Sequence, residues 1–288
     1  MTQFLQIIVS GILLGGIYSL ISIGLTLIFG VVKIINFAHG EFLMIALYLA
    51  FWCVSLLNMD PYLSVIIVVP SMFLIGVITQ KIVINPILKA PDVMQIFATV
   101  GIGLVLQNMA LFLWSADYKT IVTPYQSVNY AIGSVVVGLP RLIAFVLAML
   151  VSIGFFYYLK NTFTGKALRS VSQNREAALL MGIDVKKMYL IAFGMGAACL
   201  GFAGSLLLPV YYVFPSVGTY FGITSFVVVV LGGMGNMKGA FFGGLLIGLV
   251  ESLSGVYLGS TLKEAVYFIL FILVLLFKPN GLFGSHKS

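Results

Sequence analysis

Few side chains in this 288-residue chain are suited to chemistry, and they are widely spaced. His39 and Glu41 form its one imidazole–carboxylate neighbourhood, in the run NFAHGE, at the boundary of an apolar stretch. Glu251 is the only carboxylate deep in such a stretch, and Gln107 and Asn108 are polar near the middle of another. A carboxylate inside a membrane is costly and is a functional-site candidate by default, the alternative being a hydrogen-bonded structural role. For neighbouring amides the alternative is hydrogen bonding between helices. No group of His, Cys and carboxylate has catalytic or metal-ligand spacing, so an intramembrane protease or similar enzyme lacks its constellation. Cys53 and Cys199 lie in apolar runs and suggest neither a disulfide framework nor a metal site. A nucleotide site is missing too. The one Gly-Lys pair, Gly165-Lys166, is followed by Ala167 where a P-loop needs Ser or Thr, and Lys160 takes the place of its first glycine.

The elements that must position these groups are set by composition. Hydrophobic residues make up 61% of the chain and charged residues 8%, against about 45–50% and about 25% in soluble domains. No soluble core could hide so much apolar surface, so the composition implies a polytopic membrane protein. At about 20 apolar residues per span, segments are predicted near Phe4–Gly30, Glu41–Leu57, Tyr62–Ile84, Met94–Ser115, Leu142–Leu159, Met188–Leu208, Tyr220–Leu231, Ala240–Tyr257 and Leu262–Phe277. The count is eight to nine, because several are short. Tyr220–Leu231 is especially short and runs into GGMGNMKGAFFGG, which suits a broken or re-entrant element. The first segment runs past the length of a signal-peptide core and has no basic leader, so it is expected to be a retained span. Gly11 and Gly15 are four apart, as are Gly244 and Gly248, a spacing that lets helices pack closely.

The net charge of +7 reads as loop asymmetry and not as a nucleic-acid signal. Residues 160–187 hold Lys160, Lys166, Arg169, Arg175, Lys186 and Lys187, six of the 15 basic residues. Placing this segment in the cytoplasm brings Lys33, Lys81, Lys89, Lys238, Lys278 and Lys287 inside as well. Only Lys119, Arg141 and Lys263 then lie outside. The expected topology is N-terminus out and C-terminus in, with Ser115–Pro140 as the main external connection.

Within the polar segment, Leu168, Val171, Ala178 and Leu179 fall close to one helical face, and Arg169, Gln173 and Glu176 gather on another. One short amphipathic helix is predicted, with Gly182 as its C-cap and Asp184 as the N-cap of the next helix. Such a helix either lies among lipid headgroups or docks a protein. The run Gln173-Asn174-Arg175-Glu176 tilts the balance toward docking, since lipid attraction has no use for Asn, Gln and Glu. The residue pattern alone leaves the two open.

Four blocks then converge on a family. IINFAHGEF (34–42), GKALRSVSQNREAALLMGID (165–184), VLGGMGNMKGAFFGGLLIGLVE (230–251) and KPNGLFG (278–284) occur in the expected order. The chain resembles the permease subunits of branched-chain amino acid ABC importers, the LivH type. The resemblance implies one all-α permease domain over residues 1–288, related to the vitamin B12-type class of importer, in a bacterial inner membrane. It implies two cytoplasmic ATPase subunits that bind the ATP and Mg, leaving this chain no cofactor of its own. A second, LivM-like permease subunit and a periplasmic binding protein complete the set of partners. Gly165, Arg169, Gln173, Asn174, Arg175, Glu176 and Gly182 would then belong to an ATPase-coupling helix. Asn36, His39, Gly40, Glu41, Gln107, Asn108, Gly232, Gly233, Gly235, Asn236 and Glu251 are the candidate pathway residues, with a helix-cap network as the alternative for Asn36, His39 and Glu41.

The implied substrate is leucine, isoleucine or valine, with urea, short amides and other amino acids as alternatives within the same architecture. An ATP-independent secondary transporter or channel would need paired intramembrane charges along an ion route, and little beyond Glu251 offers one. A membrane scaffold without transport fits the Gly-rich, polar-punctuated spans poorly.

Overall fold

The computed structural model of the chain describes residues 2–133, 135–259 and 262–284. In chain order it comprises α1 (Thr2–Val32), α2 (His39–Leu57), α3 (Val65–Ile87) and α4 (Asp92–Trp114), then the strands β1 (Asn129–Ile132) and β2 (Val135–Gly138). There follow α5 (Leu139–Asn161), α6 (Phe163–Gln173), α7 (Arg175–Leu180), α8 (Val185–Leu207), α9 (Val217–Gly232), α10 (Met237–Tyr257) and α11 (Lys263–Phe277). By length and composition, seven of these are able to cross a membrane: α1 to α5, α8 and α10. The other two apolar helices, α9 and α11, have 16 and 15 residues. At 1.5 Å per residue they reach about 24 and 22 Å, short of the roughly 30 Å hydrocarbon core. All nine apolar segments expected from the sequence are thus helical, and two of them are too short to span alone.

α1 is the axis of the bundle. It is apolar all round, as a helix enclosed on every side must be, and is buried almost without a break from Ile17 to Val32. α8, α9 and α10 pack on it, with α2 wedged against α8 and α9. Its glycines make the closest contact. Gly11 and Gly15 face Gly244, Gly248 and Leu249 of α10, so that a Cβ on Gly15 would lie 2.7 Å from the Leu245 Cα. The two sequence pairs of small residues are therefore one antiparallel interface, held by dispersion between backbones. Ser252 adds a hydroxyl bond to the Ile7 carbonyl at 2.8 Å. α3 carries a π-helical turn at Gln80–Ile84, where the Gln80 amide reaches Asn85 Oδ1 at 2.9 Å.

One end of the bundle, the hairpin face, is closed by β1 and β2, an antiparallel pair with Asn129 opposite Gly138 and Ile132 opposite Val135. Gln6 caps the free edge of β2, its amide giving to the Val136 carbonyl and taking from the Val136 N–H, each at 2.8 Å. Asp60 ties the α2–α3 link to this segment by accepting from the Tyr125 hydroxyl at 2.8 Å and the Tyr62 N–H at 2.9 Å. Burial and the Asp60 carboxylate both push the Tyr125 hydroxyl pKa up, which keeps it a donor. At the opposite end, the basic face, stand α6 and α7, the α3–α4 link and the α9–α10 turn.

Candidate functional site

The polar segment is two helices, not the single one its periodicity suggested. Asn174 breaks it, with φ −152° and ψ 109°. Its side chain then caps the second helix by accepting from the Ala177 N–H at 3.0 Å, while Thr162 caps the first through the Gly165 N–H at 3.0 Å. α7 ends as expected: Gly182 has φ +78°, its N–H reaches the Leu179 carbonyl, and the Ile183 N–H reaches that of Ala178. That bond pair is a Schellman close, which needs a residue tolerant of the left-handed region. Asp184 caps α8 through the Lys187 N–H at 3.1 Å.

These caps fix which side of each short helix is free. Gly165, Ala167, Leu168, Val171 and Ala178 are buried against the bundle. Leu179 departs from the expected face and is exposed, beside Leu180 and Met181, which are 89% and 82% exposed. Gln173, Asn174, Arg175 and Glu176 form an exposed corner between α6 and α7. Arg169 folds back to the Lys160 carbonyl at 3.3 Å, and the Arg175 guanidinium lies 5.7 Å from the centre of the Tyr189 ring. The corner is a built projection mixing polar, charged and apolar side chains. Lys33, Lys81, Lys89, Lys238 and Lys278 lie toward this same end, and Lys119, Arg141 and Lys263 toward the other. Lys287 lies outside the described residues.

The second feature is deeper. After Val32 the chain leaves helix for six residues and climbs back into the bundle before α2 begins. The depth is set by two neighbours. His39 Nε2 is 3.0 Å from the carbonyl of Ile21, eleven residues up α1 from Val32, about 16 Å at 1.5 Å per residue. Gly40 sits against Gly218 and Gly222 of α9, where a side-chain carbon would collide with the Gly218 carbonyl. Irregular backbone at this depth is tolerated only where protein or a cavity surrounds it. Here Ile34, Asn36 and Ala38 are buried, and Thr99 of α4 gives a hydroxyl bond to the Ile35 carbonyl at 3.1 Å.

Beside this re-entry lies a cavity of about 470 Å³ between α2, α4, α9 and α11. Asn36, Gly40, Glu41 and Gln107 line it, together with Gly103, Gly218, Thr219, Gly222, Phe226, Phe268 and Phe271. Its size and its largely apolar wall with a few polar groups are those of a small-molecule site. Glu41 Oε1 accepts from the Thr219 hydroxyl at 3.1 Å, while Oε2 has no partner among the described residues. Asn36 Oδ1 accepts from the Ala38 N–H at 3.2 Å, and its Nδ2 has none.

The remaining candidates sit elsewhere. His39 turns to α1 and does not line the cavity. Asn108 is exposed on α4 and gives to the Leu104 carbonyl at 2.7 Å. Gly232, Gly233, Gly235 and Asn236 make the α9–α10 turn at the basic face, where Asn236 caps α10 and its amide gives to the Phe283 carbonyl at 2.6 Å. Glu251 lines a second cavity, about 260 Å³, toward the hairpin face. Its carboxylate accepts from Tyr18 at 2.6 Å and from Tyr220, and pairs with Lys263 at 2.9 Å. Sequence reading passed over Thr219, Gly218, Gly222 and Lys263. The first three carry a signal only once Gly218 and Gly222, four apart, are read as a close-packing pair.

A family model described as "Branched-chain amino acid transport system / permease component" matches residues 7–275. The chain is 32% identical over 296 residues to the high-affinity branched-chain amino acid transport system permease protein BraD of Pseudomonas aeruginosa, covering 98% of this chain and 96% of that protein. It is 30% identical over 295 residues to the corresponding LivH of Salmonella typhimurium, with the same coverage of both. A probable branched-chain amino acid transport permease protein LivM of Methanocaldococcus jannaschii is 32% identical over 147 residues, 44% of this chain and 41% of that one. No solved structure matches.

Proposed function

Since the chain belongs to the family of branched-chain amino acid transport system permease components, we propose that it works as the membrane subunit of an importer whose ATPase docks on α6 and α7. It is a multi-pass membrane protein and a transport component, not an enzyme. In this reading two cytoplasmic ATPase subunits supply ATP and Mg chemistry, a related permease pairs with this chain, and a periplasmic binding protein delivers leucine, isoleucine or valine. The basic face is then cytoplasmic, by the positive-inside rule, and the N-terminus is outside.

The observation that carries the reading is the capped corner at Asn174. A helix that only lies on lipid has no need of an exposed Gln173–Glu176 turn fixed by a side-chain cap at each start. Through buried Leu168 and Val171, α6 bears on α1, α5 and α8. Closure of an ATPase dimer against the corner would therefore move the helices around the central axis. ATP acts by binding one of two arrangements better, which shifts their populations.

Purification tests this directly. The chain should bring down a P-loop ATPase at one copy per permease chain, and reconstituted vesicles given the loaded binding protein should take up leucine only with ATP on the ATPase side. Uptake driven by an ion gradient with no ATPase present would defeat the proposal.

A further inference from the structure

Among the described residues two carboxylates, Glu41 and Glu251, are buried inside the bundle, and they are satisfied very differently. Glu251 is met by two tyrosine hydroxyls and an ammonium. Glu41 is met by one hydroxyl, and its Oε2 has no partner among the described residues although Glu41 is only 7% exposed. Among the described residues lining the cavity beside it, none is basic. A buried carboxylate left in that state is costly, and the cost is relieved by any ligand that brings a positive group. Five residues earlier, Asn36 lines the same cavity with an unpartnered Nδ2 donor and is 2% exposed. One wall thus holds an idle carboxyl oxygen and an idle donor, and Phe226, Phe268, Phe271 and Leu25 supply apolar surface.

We propose that Glu41 and Asn36 are the permease's own recognition pair for a zwitterionic amino acid with an apolar side chain. Glu41 Oε2 takes the α-ammonium, Asn36 Nδ2 gives to the α-carboxylate, and the side chain lies on the aromatic wall. The proposal rests on the importer reading and deepens it, because selection then happens within the membrane as well as at the binding protein. It also says why the re-entry has glycines at its contact with α9. Both polar atoms are shielded from solvent in this conformation. A Cβ on Gly218 would lie 2.6 Å from Glu41 Oε2, so the carboxylate occupies the space a side chain there would fill. A small slide of α9 past Gly40 uncovers it, and backbone-on-backbone contact leaves no side chains to unlock.

The test uses the whole transporter in proteoliposomes, reading leucine taken up per ATP hydrolysed. Glu41→Gln keeps the shape and the Thr219 bond but not the charge, and should lower that ratio at least tenfold. Glu41→Asp, which keeps the charge, should stay within about threefold of wild type, and Asn36→Leu should lower the ratio severalfold. An unchanged ratio in Glu41→Gln overturns the pair while leaving the importer reading intact, as does a fall in uptake and hydrolysis together. Absence of ATP-driven leucine uptake by the wild-type transporter strikes the reading beneath both.

Discussion

Lys263 Nζ stands 2.9 Å from Glu251 Oε1, joining the start of α11 to α10 where α11 is too short to anchor itself by length. The two ends of this ion pair are unequal: 6% of the Glu251 side chain is exposed against 29% of Lys263. Removing the lysine leaves a buried carboxylate with only hydroxyl donors. Removing the carboxylate leaves an ammonium that can reach water, and two tyrosine hydroxyls already 2.8 Å apart. Lys263→Met should therefore cost about 2–4 kcal/mol and Glu251→Gln about 1–2 kcal/mol. The double variant should be more stable than Lys263→Met alone. Thermal unfolding in detergent across the four proteins gives the coupling, and additive losses would mean the pair contributes nothing.

The α1–α10 contact makes a different prediction, one that depends on space. A Cβ on Gly248 would be forced into the backbone of Gly15, whereas nothing lies within 4 Å of one on Gly255 of the same helix. Gly248→Ala should then lose about 1–3 kcal/mol through overpacking. Gly255→Ala should be neutral or gain up to about 1 kcal/mol from helix propensity. Equal melting temperatures for the two variants would show that α1 and α10 do not approach this closely.

Much of this fold could be read from apolar runs, because each helix had to be long and apolar enough to live in lipid. The nine segments, the caps at Gly182 and Asp184 and the spacing of the small-residue pairs follow from local rules; that the two glycine pairs face each other does not. Depth did not. Glu41 looked like a residue at a span boundary and Glu251 like the deep one, because run length assumes each span starts at the membrane edge. The climb over residues 33–38 breaks that assumption and carries Glu41 about 16 Å inward by the measure of its neighbour His39. The partner of Glu251 was hidden for a related reason: Lys263 lies twelve residues on, at the start of another helix, where no periodicity links the two. The break at Asn174 does not show in the sequence because Leu168, Val171 and Ala178 keep helical spacing across it; the backbone angles and the exposed Leu179 reveal two helices.

That break gives a third prediction. Asn174→Ala removes the cap on α7 but not the exposed charges, and should cost about 0.5–2 kcal/mol locally. If the corner transmits ATPase closure, the loss should appear as less leucine moved per ATP, with the melting temperature within a few degrees of wild type. Asn174→Asp keeps an acceptor for the Ala177 N–H and should restore the ratio. Failure of Asp to rescue would make the amide itself, not the cap, the group that matters.

Double substitution of Arg175 and Glu176 by Ala should separate hydrolysis from transport more completely than loss of the cap. Both side chains are exposed at the corner, and Arg175 lies over the Tyr189 ring. Folding should thus be little changed, since losing an exposed cation–π contact costs about 0.5–1 kcal/mol. Stimulation of ATP hydrolysis by a substrate-loaded binding protein is the measurement. Wild-type stimulation in the double variant would remove this corner from the coupling path.

His39 supplies the last and sharpest contrast with Glu41, two residues away. Its ring is turned to α1, where Nε2 gives to the Ile21 carbonyl, while Nδ1 is buried without a partner. His39→Leu deletes one hydrogen bond, worth about 1 kcal/mol, and at the same time deletes a buried acceptor that costs a similar amount to leave idle. The two effects oppose each other, so stability should change by less than about 1 kcal/mol. Ile21 loses nothing essential, because its carbonyl stays within the α1 ladder. A histidine that relayed protons or touched substrate could not be replaced by leucine without loss of transport. An anchoring histidine could, and ATP-driven uptake by His39→Leu within about threefold of wild type is the result that geometry requires.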